Sequence, residues 1–254
     1  MSKRNDALNA LRFLTILPVP ASDEPFAPDW LTRALIYFPV VGLLIGGVSA
    51  LVLLLADLMW GQTLAAICAV AASVAMTGAL HEDGLADTFD SFGGGWTVAK
   101  RLEIMKDSRI GTYGALALGL GVALRVGALI ALPIEIAACA LIAGHAAARA
   151  APALVMTRLN YAGDVTAMKV TYEESKPRLR ELLIIGAVVA VAGLPLLFLS
   201  GPIVVVGWIG ALLLGLALTA WSKRLLGGYT GDVLGAVEQV GEIGFLLGVL
   251  AMVG

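Results

Sequence analysis

Seven long apolar runs, at residues 34–56, 62–80, 111–132, 134–157, 181–199, 202–221 and 233–254, take up most of this chain, with short polar segments between them. A hydrocarbon core about 30 Å thick is crossed by about 20 apolar helical residues, and only helices or closed barrels satisfy every backbone group in lipid. The runs therefore predict an all-α fold: a polytopic integral membrane bundle of about seven transmembrane helices, forming one domain over residues 1–254. Composition agrees, since 59% of the 254 residues are hydrophobic and 14% are charged, against roughly 25% charged in a soluble domain. Disordered and nucleic-acid-binding classes are excluded, because charge is scarce and 17 Lys and Arg nearly balance 19 Asp and Glu. Pro39, Pro152 and Pro195 are expected to kink helices rather than end them.

The cations are one-sided. Fifteen of the 17 Lys and Arg precede the first run or lie between runs two and three, four and five, or six and seven. The turns near 57–61, 133 and 200–201 hold none, so the positive-inside rule places the N-terminus in the cytoplasm. The remaining two, Arg125 and Arg149, fall inside runs, and no function suggests itself for Arg125. Residues 5–17 place Leu8, Leu11 and Leu14 opposite Asn5, Asn9 and Arg12, which predicts an amphipathic interfacial helix, though a simple flank of the first span reads equally well. The same polar interruptions exclude a cleaved signal peptide. Cys68 and Cys139 sit in apolar runs and read as small buried hydrophobes. Gly42 with Gly46, and Gly244 with Gly248, have the spacing of close helix packing.

Chemistry concentrates in the expected cytoplasmic loops at 81–110, 158–180 and 222–232. In His81-Glu82-Asp83-Gly84-Leu85-Ala86-Asp87-Thr88-Phe89-Asp90, a helix would bring Asp83, Asp87 and Asp90 within about 60° of one another. Such acids repel, and if they close the second span they also oppose its dipole. A solvated acidic helix end is the bland reading. A metal site formed by Glu82, Asp83, Asp87 and Asp90 is the sharper one, because clustered oxygens favour Mg²⁺ or Mn²⁺ over zinc, and Mg²⁺ is commonly shared with phosphate. Gly93-Gly94-Gly95 follow, then Lys100, Arg101, Lys106 and Arg109, which either obey topology alone or balance substrate phosphate. Gly227-Gly228-Tyr229-Thr230-Gly231-Asp232 opens the seventh run, where glycines and free N–H groups suit a phosphate. Beyond it Asp232, Gly235, Glu238, Gln239 and Glu242 share an arc of about 120°, with Glu242 about 15 Å along. Carboxylates that deep face the bundle interior or a wet cavity. His145 and Arg149 share a face at a depth like that of Glu242, so Arg149 and Glu242 are expected either to pair or to contact substrate.

Four segments in order resemble the signatures of one family: Leu11-Arg12-Phe13-Leu14-Thr15-Ile16-Leu17-Pro18-Val19-Pro20, Leu80 through Asp90, Arg101 through Gly111, and Gly228-Tyr229-Thr230-Gly231-Asp232. They are similar to the cobalamin synthases, the adenosylcobinamide-GDP ribazoletransferases. The resemblance implies Mg²⁺-dependent joining of adenosylcobinamide-GDP to α-ribazole or its 5′-phosphate, with release of GMP, at a bacterial inner membrane. It also implies that Asp83, Asp87 and Asp90 belong to the metal or pyrophosphate site, with Asp107, Ser108, Arg109, Thr230 and Asp232 nearby. Residues 158–180 match the family only loosely.

On this view Asp90 is the expected acceptor of the attacking hydroxyl proton, with His81 second. Lys100, Arg101, Lys106, Asp107, Ser108, Arg109, Arg149, Gly228, Thr230, Gly231, Asp232 and Glu242 are the expected substrate-binding residues. The implied partners are the two substrates and the bilayer, with no nucleic acid; a homo-oligomer or association with other cobalamin-pathway enzymes stays open. Two other classes remain. A CDP-alcohol phosphotransferase shares an Asp-Gly-x-x-Asp core but spaces its acids differently. A transporter or channel would use His145, Arg149, Glu238 and Glu242 as a relay.

Overall fold

The computed structural model describes residues 3–20, 29–163 and 176–253. Within them lie helices α1 (Lys3–Leu14), α2 (Trp30–Leu35), α3 (Phe38–Trp60), α4 (Gln62–Thr77), α5 (Leu80–Gly94), α6 (Val98–Ile104), α7 (Thr112–Ala131), α8 (Ile134–Arg158), α9 (Leu179–Ser200), α10 (Ile203–Leu226) and α11 (Gly231–Leu250). Among the described residues the only β pairing is a lone bridge between Tyr161 and Tyr229. Residues 164–175 of the predicted 158–180 loop, including Lys169, lie outside the described part. Six helices, α3 and α7–α11, are long and apolar enough to cross a membrane, and the pair α4 plus α5 passes the same test together although bent by 89°. The protein is an all-α polytopic membrane bundle.

The apolar runs locate the spans, and the differences at their ends have local causes. The run expected at 34–56 begins in a separate helix, α2; a turn at Ile36–Tyr37 follows, and Pro39 then heads α3 in the first turn, where its missing N–H costs nothing. Pro152 and Pro195 sit inside continuous helices α8 and α9. The run expected at 62–80 is divided, because Gly78 and Ala79 both have a φ of 60°. The left-handed conformation at Ala79 costs on the order of 1–2 kcal/mol. It turns the chain, so that Glu82 and Asp83 fall in the first turn of a new helix. This corrects the sequence expectation that these acids close a helix: at an N-terminus the dipole favours them.

Helix α11 is the most deeply buried span and packs against α5, α7, α8 and α10. Its glycines allow that. A Cβ on Gly244 or Gly248 would collide with the backbone of α10, and one on Gly42 or Gly46 with that of α8, so both glycine pairs serve close packing. At one end of the bundle Gln62 Nε2 donates to Leu129 O and Leu132 O at 2.8 and 2.5 Å, which ties α4 to the end of α7. At the other end α6, the end of α8, the end of α10 and the start of α11 meet. There Arg101 Nη1 donates to Leu225 O at 2.8 Å and Tyr229 N donates to Asn160 O at 3.0 Å.

Helix α1 does not lie apart from the bundle. It buries Asp6 and Asn9 together with Ala10 and Leu14, and Arg33 reaches Asp6 at 3.3 Å. Ile16 N donates to Met76 O at 2.9 Å, fastening this segment to the end of α4.

Candidate functional site

Helix α5 is held from three sides. Gly84 faces the backbone of Asp232 on α11, where a Cβ would come within 2.7 Å of the carbonyl oxygen. Phe89 and Phe92 set their ring edges against Trp221 of α10 at centroid distances of 5.7 and 5.0 Å. Asp90 accepts from Gly111 N at 2.7 Å and Gly114 N at 2.8 Å, satisfying free donors at the start of α7. Gly84→Ala is expected to cost about 1–3 kcal/mol through overpacking and to lower Tm by several degrees, as measured by thermal unfolding in detergent.

The 100° rotation per residue separates Glu82 from Asp83, and position along the helix separates Asp90, which reaches the start of α7, from the others. Asp83 is exposed and Asp87 is half-buried, while Glu82 and Asp90 are buried. Burial, followed by the charges of Asp83, Asp232 and Asp90, pushes the Asp87 carboxyl up from 3.8 to about 7. Its strongest neighbours are therefore three other carboxylates, one of them supplied by α11. Among the described residues no three His, Cys, Asp or Glu side chains stand close enough to enclose a metal by themselves. Of the four acids expected at a metal, the structure gathers Asp83 and Asp87, adds Asp232, and engages Glu82 and Asp90 elsewhere.

A carboxyl raised in this way destabilises the fold when ionised. It costs nothing below its unfolded value of 3.8, costs progressively more as pH rises, and reaches its full cost above about 7. Asp87→Asn should therefore be more stable than the parent at pH 8 and equal to it near pH 4. After solvent screening of a half-exposed group the gain is about 1 kcal/mol, or about 2–4 °C in Tm.

Behind this face lies a closed network of buried charges. Arg125 of α7 donates from Nη2 to Glu82 Oε1 at 2.9 Å and from Nη1 to Glu242 Oε2 at 3.1 Å. Arg149 Nη1 and His145 Nδ1 meet Glu242 Oε1, the latter at 2.8 Å. His81 Nε2 lies 2.8 Å from Glu238 Oε2, which also faces Arg149 Nε at 3.7 Å. The polar stripe of α11 thus faces the bundle interior, and Arg149 and Glu242 form the ion pair that the sequence allowed. Arg125 and Glu82 belong to it as well, which sequence reasoning missed; the signal was available in an arginine near mid-span that needs a partner.

The remaining expected substrate residues are placed as follows. Lys100 pairs with Glu103 at 2.7 Å, and exposed Arg109 pairs with Asp107 at 2.7 Å, which holds the Asp107 carboxyl down to about 2. Lys106 and Ser108 are exposed. Gly227 takes a φ of 75° to end α10. Gly228 lets the chain pass close to Asn160, and its carbonyl accepts from Ser222 Oγ at 2.6 Å. Thr230 Oγ1 caps α11 by accepting from Val233 N at 3.3 Å. The glycine-rich turn therefore aims the N-terminus of α11, with Gly231 and Asp232, at the acids of α5.

A cavity of about 200 Å³ opens beside them, lined by Asp83, Asp232, His81 and Glu238 of α5 and α11 and by Phe13, Leu31 and Phe38 of α1, α2 and α3.

Fold and site define an integral membrane protein with a carboxylate-rich site at the end where its polar loops gather. A family model described as cobalamin-5-phosphate synthase matches residues 6–250. The chain is 41% identical over 246 residues to the adenosylcobinamide-GDP ribazoletransferase of Shewanella frigidimarina, covering 96% of this chain and 93% of that one. It is 44% identical to the enzyme of the same name from Azorhizobium caulinodans, covering 95% and 93%, and 39% identical to that of Leptothrix cholodnii, covering 95% and 93%. No solved structure matches significantly. The chain belongs to the cobalamin-5-phosphate synthase family.

Proposed function

We propose that this chain catalyses the reaction for which its relatives are named, joining α-ribazole or its 5′-phosphate to adenosylcobinamide-GDP and releasing GMP, at the cytoplasmic face of a bacterial inner membrane. The observation that carries this reading is the cavity that Asp83 and Asp232 line together, with half-buried Asp87 one helical turn from Asp83. Such a set suits Mg²⁺ held by one or two carboxylates and completed by water and phosphate oxygens, rather than an ion enclosed by protein. When bound, Mg²⁺ neutralises charge on the pyrophosphate. Asp83 and Asp87 would hold it, with Asp232 beside them.

The ribose hydroxyl oxygen forms a bond to the phosphorus that bears cobinamide, the bond from that phosphorus to the GMP oxygen breaks, and the hydroxyl proton passes to a base. Asp90, the first expectation for that base, spends both oxygens on Gly111 and Gly114 and acts by positioning α5 on α7. His81 faces the cavity with Nδ1 free of hydrogen bonds and is the base assigned here. Lys106, exposed and outside the ion pairs of its segment, and Arg109, exposed beside Asp107, would meet phosphate charge. The buried groups His145, Arg149, Glu238 and Glu242 pair with one another, as a structural ion-pair network does, which favours an enzyme over a transporter relay.

The test is purified protein with Mg²⁺, adenosylcobinamide-GDP and α-ribazole. Equimolar GMP and adenosylcobalamin are expected; absence of GMP from folded protein overturns the reading.

A further inference from the structure

The cavity beside the acid face has lining of two unlike kinds. One is apolar and aromatic: Phe13 of α1 stacks on Phe38 of α3 at a centroid distance of 5.8 Å and 21°, and Leu31 of α2 continues the surface. The other carries Asp83, Asp232 and His81. His81 is 2% exposed, and its Nδ1 has no hydrogen-bond partner although its Nε2 stands against Glu238. A buried polar atom without a partner is costly, and it points to a ligand that supplies one. Leu80 and Asp83 are the exposed residues of the lining and mark the mouth.

We infer that this cavity is the subsite for the acceptor nucleoside, taking its flat, weakly polar benzimidazole-type base against Phe13, Leu31 and Phe38 and turning a ribose hydroxyl towards His81 Nδ1. The inference rests on the proposed function and adds the location and the specificity wall. A hydroxyl both donates and accepts, so it satisfies Nδ1 in either tautomer. A corrin ring is too large for about 200 Å³. The wall is built by α1, α2 and the first residue of α3, which gives the N-terminal helices a part in acceptor choice, next to the acids of α5 and α11.

Two variants test this. Leu80→Trp narrows the mouth from an exposed position, and Phe13→Leu removes the aromatic surface while keeping bulk. Each should raise the KM for α-ribazole about tenfold or more, with the KM for adenosylcobinamide-GDP changed by less than about twofold. Equilibrium binding of α-ribazole alone, measured by calorimetry on the solubilised protein without donor, should weaken in parallel. An unchanged α-ribazole KM in both folded variants, or a rise confined to the donor KM, overturns the inference while leaving the transfer reaction standing. Parent protein that binds α-ribazole but forms no GMP overturns the proposed function instead.

Discussion

Asp87→Asn should reduce GMP release by about 10²–10³-fold at saturating substrates, the loss typical of removing one group that stabilises transition-state charge. The side chain keeps its size and loses only its ability to carry negative charge, at the point where Asp83 and Asp232 converge. Extra Mg²⁺ should not restore the rate. In the parent, Mg²⁺ should stabilise the fold more at pH 8 than at pH 5.5, because protons and the cation compete for a carboxyl pushed up to about 7. In Asp87→Asn that pH dependence should shrink. Thermal unfolding against Mg²⁺ at the two pH values reads this directly, and near-normal turnover by the variant would remove Asp87 from the site.

Arg125→Leu is expected to have the largest effect on stability. Arg125 is 3% exposed and is the partner of Glu82 and one of the partners of Glu242. Removing it leaves Glu82 as a buried carboxylate without its hydrogen-bonded counter-charge, a change that costs about 3–5 kcal/mol. The double variant Arg125→Leu with Glu82→Leu should recover part of that loss, since Glu242 keeps Arg149 and His145. Chemical denaturation of parent, single and double variants measures the difference. A single variant as stable as the parent would mean that the network does not anchor α5.

Much of the site was legible because its acids recur at helical spacing in a chain with few charges. Asp83 and Asp87 could be read from that spacing alone, and the glycine-rich turn marked the start of α11. What misled was adjacency. Glu82 and Asp83 are neighbours in sequence, yet one is buried against Arg125 and the other is exposed at the cavity mouth. Asp90 shares the helix face with Asp87, yet it lies where α7 begins, and free backbone donors claim it. Periodicity gives a direction around a helix but does not say what waits there.

The sequence by itself determined the membrane class, the positions of the spans within a few residues, the gathering of charge in alternate loops and the family. Each depends on local quantities, summed hydrophobicity over a window or residues a turn apart, which are the same in any packing. Tertiary structure alone decided that the second apolar run breaks at Gly78–Ala79, that Asp232 comes beside Asp83 and Asp87 from about 145 positions away, and that Phe13 and Phe38 line one cavity with Asp83 and Asp232. Those facts depend on where helices cross, and the crossings are set by contacts such as Gly84 on Asp232 and Gly114 on Asp90. Such contacts exist only once the chain is packed.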